Sequence, residues 1–71
     1  MSKTLIAFNK LPIKAKSELT SAKQRGERSE KIEQDKIREF IKGYLKGLAI
    51  ANLINNTDYR LLLLYFTINF K

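Results

Sequence analysis

The chain has 71 residues, no Cys and no His, and 14 Lys/Arg against 7 Asp/Glu, a net charge of +7 at pH 7. That length holds one small domain at most, with a core near the minimum that supports folding, a shortfall that dimerisation often fills. The missing Cys and His exclude disulfides, thiolate zinc sites and histidine-based catalysis.

The remaining carboxylates (Glu18, Glu27, Glu30, Glu33, Asp35, Glu39 and Asp58) lie mostly in charge-mixed helical sequence. Such sequence reads as a solvated face, so no enzyme, metal site or cofactor is expected. The positive charge is uneven: residues 1–28 carry seven cations against two acids, residues 29–46 five against four, and residues 47–71 two against one. A basic excess concentrated at the N-terminal end suits a polyanion, most often nucleic acid. The bland alternative is a surface rich in Lys.

In chain order, residues 3–9 (KTLIAFN) read as a short strand. Ile6 and Phe8 share one face, and Lys3, Leu5, Ala7 and Asn9 the other. Pro12 ends the strand and opens a helix. Residues 13–24 (IKAKSELTSAKQ) predict that helix, with a thin apolar stripe of Ile13, Ser17/Leu19 and Ala22. Gly26 closes it as a helix-terminating glycine would. Ser29 predicts the next N-cap, with Glu30 and Glu33 suited to the positive helix end. Ile32, Ile37, Phe40, Ile41, Tyr44, Leu45, Leu48, Ala51 and Ile54 then follow helical steps. The stretch AIANLI is apolar nearly all round, which predicts burial against a partner chain. Gly43 and Gly47, four apart, mark a close backbone approach or a kink, or are simply tolerated.

The break at Asn55-Asn56-Thr57-Asp58 offers Thr57 or Asn56 as the cap of a third helix. The tail YRLLLLYFTINFK stays open between two readings. Four consecutive Leu suit a buried helix, whereas Leu62, Leu64, Phe66, Ile68 and Phe70 share a strand face. A helix over 58–66 with an extended end is preferred. No apolar run reaches the length of a bilayer span, and the first ten residues lack a signal peptide's apolar core, so a cytoplasmic protein with no membrane partner is expected.

A lone strand cannot satisfy its own backbone, so residues 3–9 must pair with the tail or with their copy in a second chain. The strand TLIAFN (Thr4–Asn9), the turn GERSE (Gly26–Glu30) and the helix that follows together resemble a ribbon-helix-helix protein. TLIAFNKLP, GLAIAN and the break before LLLLYF are similar to the centromere-binding adaptors of actin-type plasmid partition systems. The resemblance implies a mainly α fold with one short N-terminal strand: a ribbon-helix-helix-like dimer, β-α-α plus a C-terminal apolar helix or strand. Residues 1–54 would form the DNA-binding core. Residues 55–71 would pack on that core or on the dimer partner.

The same resemblance implies a mechanism. Two strands pair into a ribbon that enters the major groove of double-stranded DNA. Lys3, Leu5, Ala7 and Asn9 would contact bases. Lys10, Arg28, Ser29 and Lys31 would contact phosphates, helped by free N–H groups at the helix start. Ile6, Phe8, Ile37, Phe40, Ile41, Tyr44, Leu45 and Leu48 would form the dimer core. Leu5 and Ala7 depart from a polar reading face, which leaves more of the recognition to phosphate contact and DNA shape. Opposite strand parity would expose Thr4, Ile6 and Phe8 instead, and a helix beginning near Gln34–Asp35 would move the phosphate anchor to Asp35–Lys36.

The function implied is a sequence-specific DNA-binding homodimer from a plasmid, phage or similar mobile element: a small transcriptional regulator, an antitoxin-like regulator or a partition adaptor. The alternative is a small protein-binding module, such as an inhibitor of a host protein, docking through its apolar helix and tail. An RNA-binding helical protein has little support, because Phe8 is the sole aromatic in the basic N-terminal region and stacking platforms need more.

Overall fold

A computed structural model describes residues 2–71. They form four helices: α1 (Lys3–Asn9), α2 (Ile13–Glu27), α3 (Lys31–Ile50) and α4 (Asn56–Thr67). No strand occurs among the described residues, so the expected ribbon-helix-helix-like dimer with its N-terminal strand is corrected to an all-helical fold.

The correction begins at residues 3–9. A helix closes its own backbone hydrogen bonds, whereas a single strand needs a neighbour. Ser2 caps α1, its Oγ accepting from the Thr4 N–H at 3.2 Å. A seven-residue helix is marginal alone and has to be held by packing. Thr4, Ala7, Phe8 and Leu11 provide it: they recur at steps of three and four, and Ala7 and Leu11 are buried. The apolar residues of KTLIAFNKL fit a helical stripe as well as they fit a strand, and α1 packs that stripe on α4.

Helix α2 buries Ala15, Leu19, Ala22 and Gly26, a stripe that keeps the expected Leu19 and Ala22 but not Ile13 or Ser17. Ile13 is 85 % exposed and Ser17 is exposed as well. Gly26 does not end the helix. It sits inside α2, buried, with the Phe70 ring occupying the space that a Cβ would need. Ser29 does not cap α3 either. Its Oγ donates to the Arg25 carbonyl at 2.6 Å and so closes α2, leaving Glu30 as the N-cap with no side-chain cap bond.

Helix α3 buries Gln34, Ile37, Ile41 and Leu45. Ile32 lies on its solvent side, against the expected stripe. The helix stops at Ile50 rather than running to Ile54. Asn52 adopts a positive φ of 63°, its N–H bonds Ala49 O at 3.0 Å, and the Leu53 N–H bonds Leu48 O at 3.0 Å. This paired pattern is a Schellman motif with Asn in the left-handed position that glycine more often takes. Gly43 and Gly47 face open space, so no close backbone approach occurs there.

Helix α4 starts with a reciprocal cap from Asn55, not from Asn56 or Thr57. The Asp58 N–H donates to Asn55 Oδ1 at 2.8 Å, and the Asn55 N–H donates to Asp58 Oδ2 at 3.1 Å. The tail is thus helical to Thr67, with Leu62 and Phe66 fully buried. Helix α4 packs against all three other helices and is the element around which the core closes.

Beyond α4 the chain turns back on the α2–α3 hairpin. Asn69 Nδ2 donates to Glu27 Oε2 at 3.1 Å, and the Lys71 N–H donates to Gln34 Oε1 at 2.9 Å. The Gln34 amide in turn donates to Gly26 O at 2.8 Å, so this buried polar side chain has partners at both ends, as a buried amide requires. The Arg38 guanidinium lies 5.4 Å from the Phe70 ring, within range of a cation–π contact.

Candidate functional site

Exposed apolar residues are spread over the surface, Ile13, Ile32 and Ile50 among them, and four of them, Leu5, Leu64, Tyr65 and Ile68, come together where α1 meets α4. A groove of about 440 Å³ is lined by Leu5, Phe8, Leu61, Leu64, Tyr65 and Ile68, with Ser2 and Thr4 at its rim. Leu5, Leu64 and Ile68 are 50–61 % exposed. The periodicity of α4 explains why. Leu62 and Phe66 point inward at a spacing of four, which turns Leu61, Leu64, Tyr65 and Ile68 outward; a helix apolar on most sides has more apolar surface than one small core can cover.

The groove has a rigid floor. The Phe8 ring stands edge-on to Tyr65 at 6.0 Å and tilted against Phe66 at 6.2 Å, and Tyr65 and Phe66 meet edge-to-face at 5.0 Å. Offset and edge-on contacts at these distances are the favoured ones for aromatic pairs. Cations approach the same rings: Lys16 Nζ lies 5.6 Å from the centre of Phe8, and Lys23 Nζ 5.5 Å from the centre of Tyr65. Lys23 also pairs with Glu27 on its own helix. Lys16 has no carboxylate within salt-bridge distance among the described residues.

A second depression of about 560 Å³, lined by Lys10, Asn52, Asn55, Asn56 and Asp58 among others, is polar and carries a structural role. Lys10 Nζ pairs with Asp58 Oδ2 at 3.0 Å. Burial pushes the Asp58 carboxyl up, but the Asn55 N–H and the Lys10 ammonium outweigh it and hold the group below the usual carboxylate range. Lys10 is thus paired within the fold, with its side chain still 44 % exposed.

The residues expected to contact bases do not form a reading face. Positions two apart on a helix diverge by about 200°, so Lys3 and Ala7 lie on one side of α1 and Leu5 and Asn9 on the other. Ala7 is fully buried. Leu5 lines the groove, and Lys3 and Asn9 are exposed. Arg28 and Lys31 are exposed at the α2–α3 turn, but Ser29 is engaged with α2, and an anion at the start of α3 would meet Glu30 and Glu33.

Six of the eight residues expected in a dimer core pack within this one chain. Ile37, Ile41 and Leu45 belong to its core; Phe8, Tyr44 and Leu48 pack against that core; Ile6 and Phe40 remain half exposed. The tail carrying Leu61 and Tyr65 is the docking surface expected in the alternative reading, but its outward residues are not singled out there, nor is Lys16 over the Phe8 ring. The signal was present in the α4 run: reading LLLLYF with a period of 3.6 separates Leu62/Phe66 from Leu61/Leu64/Tyr65.

No protein family, curated protein or solved structure was found to match the chain. Among the described residues, no helix is long and apolar enough to cross a membrane.

Proposed function

We propose that the protein is a small protein-binding module that holds a helical segment of another protein in the α1–α4 groove. The observation that carries this reading is the continuous run of exposed Leu5, Leu64, Tyr65 and Ile68 over a packed aromatic floor. Contiguous exposed apolar surface on a small domain marks an interaction site. A groove between two helices accepts the apolar ridge of a third, read as anchors at i, i+4 and i+7. Helix α4 has 12 residues, about 18 Å at 1.5 Å per residue, so the matching occupant is a helix of about three turns.

The test uses synthetic sixteen-residue helix-forming peptides with Leu, Ile, Phe or Met along one face, titrated against the labelled protein by fluorescence anisotropy. Leu64→Glu and Ile68→Glu should remove binding, while Ile32→Glu, at an even more exposed apolar site on α3, should leave it intact. Equal binding by all three variants would overturn the reading.

A second reading, DNA binding, is favoured by one observation: Arg25, Arg28 and Lys31 are exposed around the α2–α3 turn, and none has a carboxylate within salt-bridge distance among the described residues. Without a ribbon, such binding would go through phosphates and carry little sequence preference. Its signature is an affinity for random duplex DNA that falls steeply with salt and drops on Arg25→Ala/Arg28→Ala but not on Leu64→Glu. Indifference to DNA at low salt would exclude it.

A further inference from the structure

We infer that the occupant of the α1–α4 groove is an acidic amphipathic helix. This inference rests on the docking reading above and adds the partner's charge to it. Residues 1–17 contain no Asp or Glu, and neither do residues 59–71. Both walls of the groove come from these stretches. Asp58, the one carboxylate of α4, is buried and bonded to Asn55 and Lys10.

Cations stand around the groove instead. Lys16 lies over the Phe8 ring. Arg60 is one helical turn before Leu64 on α4. Neither Lys16 nor Arg60 has a carboxylate within salt-bridge distance among the described residues. A partner helix that places Leu-like side chains in the groove carries its flanking positions past Lys16 and Arg60, where Asp and Glu are attracted and Lys and Arg repelled. A second copy of this chain is disfavoured by the same charges, because a two-fold pairing sets each cationic rim against its equal. A bilayer surface presents no ridge to a concave site of about 440 Å³.

The experiment compares two sixteen-residue peptide sets with identical apolar faces, one with Glu and Asp at all other variable positions and one with Lys and Arg. At low salt the acidic set should bind about tenfold tighter, the preference shrinking as salt screens it. Lys16→Glu/Arg60→Glu should invert the preference while leaving the fold intact by circular dichroism. Equal binding of the two sets, abolished by Leu64→Glu, overturns the acidic partner and leaves the docking groove standing. Binding of neither set overturns both. Parallel arms measure sedimentation of the protein alone and partition onto phosphatidylcholine/phosphatidylglycerol vesicles. A dimer or vesicle binding that Leu64→Glu abolishes, without peptide binding, assigns the face to a second copy or to an anionic lipid surface and overturns the proposal.

Discussion

The two ends of helix α4 and its tail treat the same kind of residue in opposite ways. At the α2–α3 hairpin, Phe70 folds against Gly26, Arg38 covers its outer face and Gln34 ties down the chain end. At α1, Leu64 and Ile68 stay in solvent although they are as apolar and lie only a few residues away. The difference lies in what is opposite. Gly26 provides a flat site into which a ring fits, whereas the short α1, with Ala7 at its centre, leaves a trough wider than its own side chains can fill. An apolar residue is covered where a complementary shape exists, and elsewhere it remains available to a partner.

The largest expected effect separates the inside of α4 from its outside. Phe66→Ala should cost about 3–5 kcal/mol by removing a fully buried ring and leave the chain largely unfolded, since a domain of this size has about that much stability. Leu64→Ser, two residues earlier, should stay within about 0.5 kcal/mol of the parent. Urea titration followed by circular dichroism measures both, and similar losses would erase the contrast between the two faces.

Gly26 and the two glycines of α3 sit in opposite surroundings. Gly26→Ala places a methyl where the Phe70 ring lies. Even after the gain in helix propensity, a net loss of about 1 kcal/mol is expected, with the Phe70 ring resonances moving toward random-coil values by NMR. The same substitution at Gly43 or Gly47, which face open space, should stabilise by about 0.5–1 kcal/mol. Gly26→Ala with no effect on the Phe70 resonances would show that the tail is not seated on α2.

Asn55→Ala should cost about 1 kcal/mol by removing half of the reciprocal cap. Acid should act on the same cap and on the tail. The folded-state pKa of Asp58 is depressed, as is that of Glu27, which is held down by Lys23 first and Asn69 second. A group depressed on folding contributes stability that is present above its unfolded pKa and lost as pH falls through its folded value. Stability should therefore decline as pH is lowered from about 5, and the decline should be shallower in Asp58→Asn. A pH profile identical to the parent's would remove Asp58 from this account.

Several features were legible in the chain itself. The helices of residues 13–24 and of the Ile37/Ile41/Leu45 stripe and the break at Asn55–Asp58 follow from spacing and capping chemistry that operate within a few residues, whereas LLLLYF fits a helix and a strand alike. Other features were not. Residues 3–9 satisfy both a period of two and a period of 3.6, and only the presence of α4 decides between them. Gly26 looks like a helix stop until Phe70, 44 positions later in the sequence, is found against it.

What the sequence alone determined is the small helical class of most of the chain, its basic surface and the absence of carboxylates near both termini, because these depend on composition and local periodicity. Which apolar residues are left over follows from the folded arrangement alone. Burial depends on the shape offered by a distant segment, and so the α1–α4 groove exists only once the two ends of the chain have met.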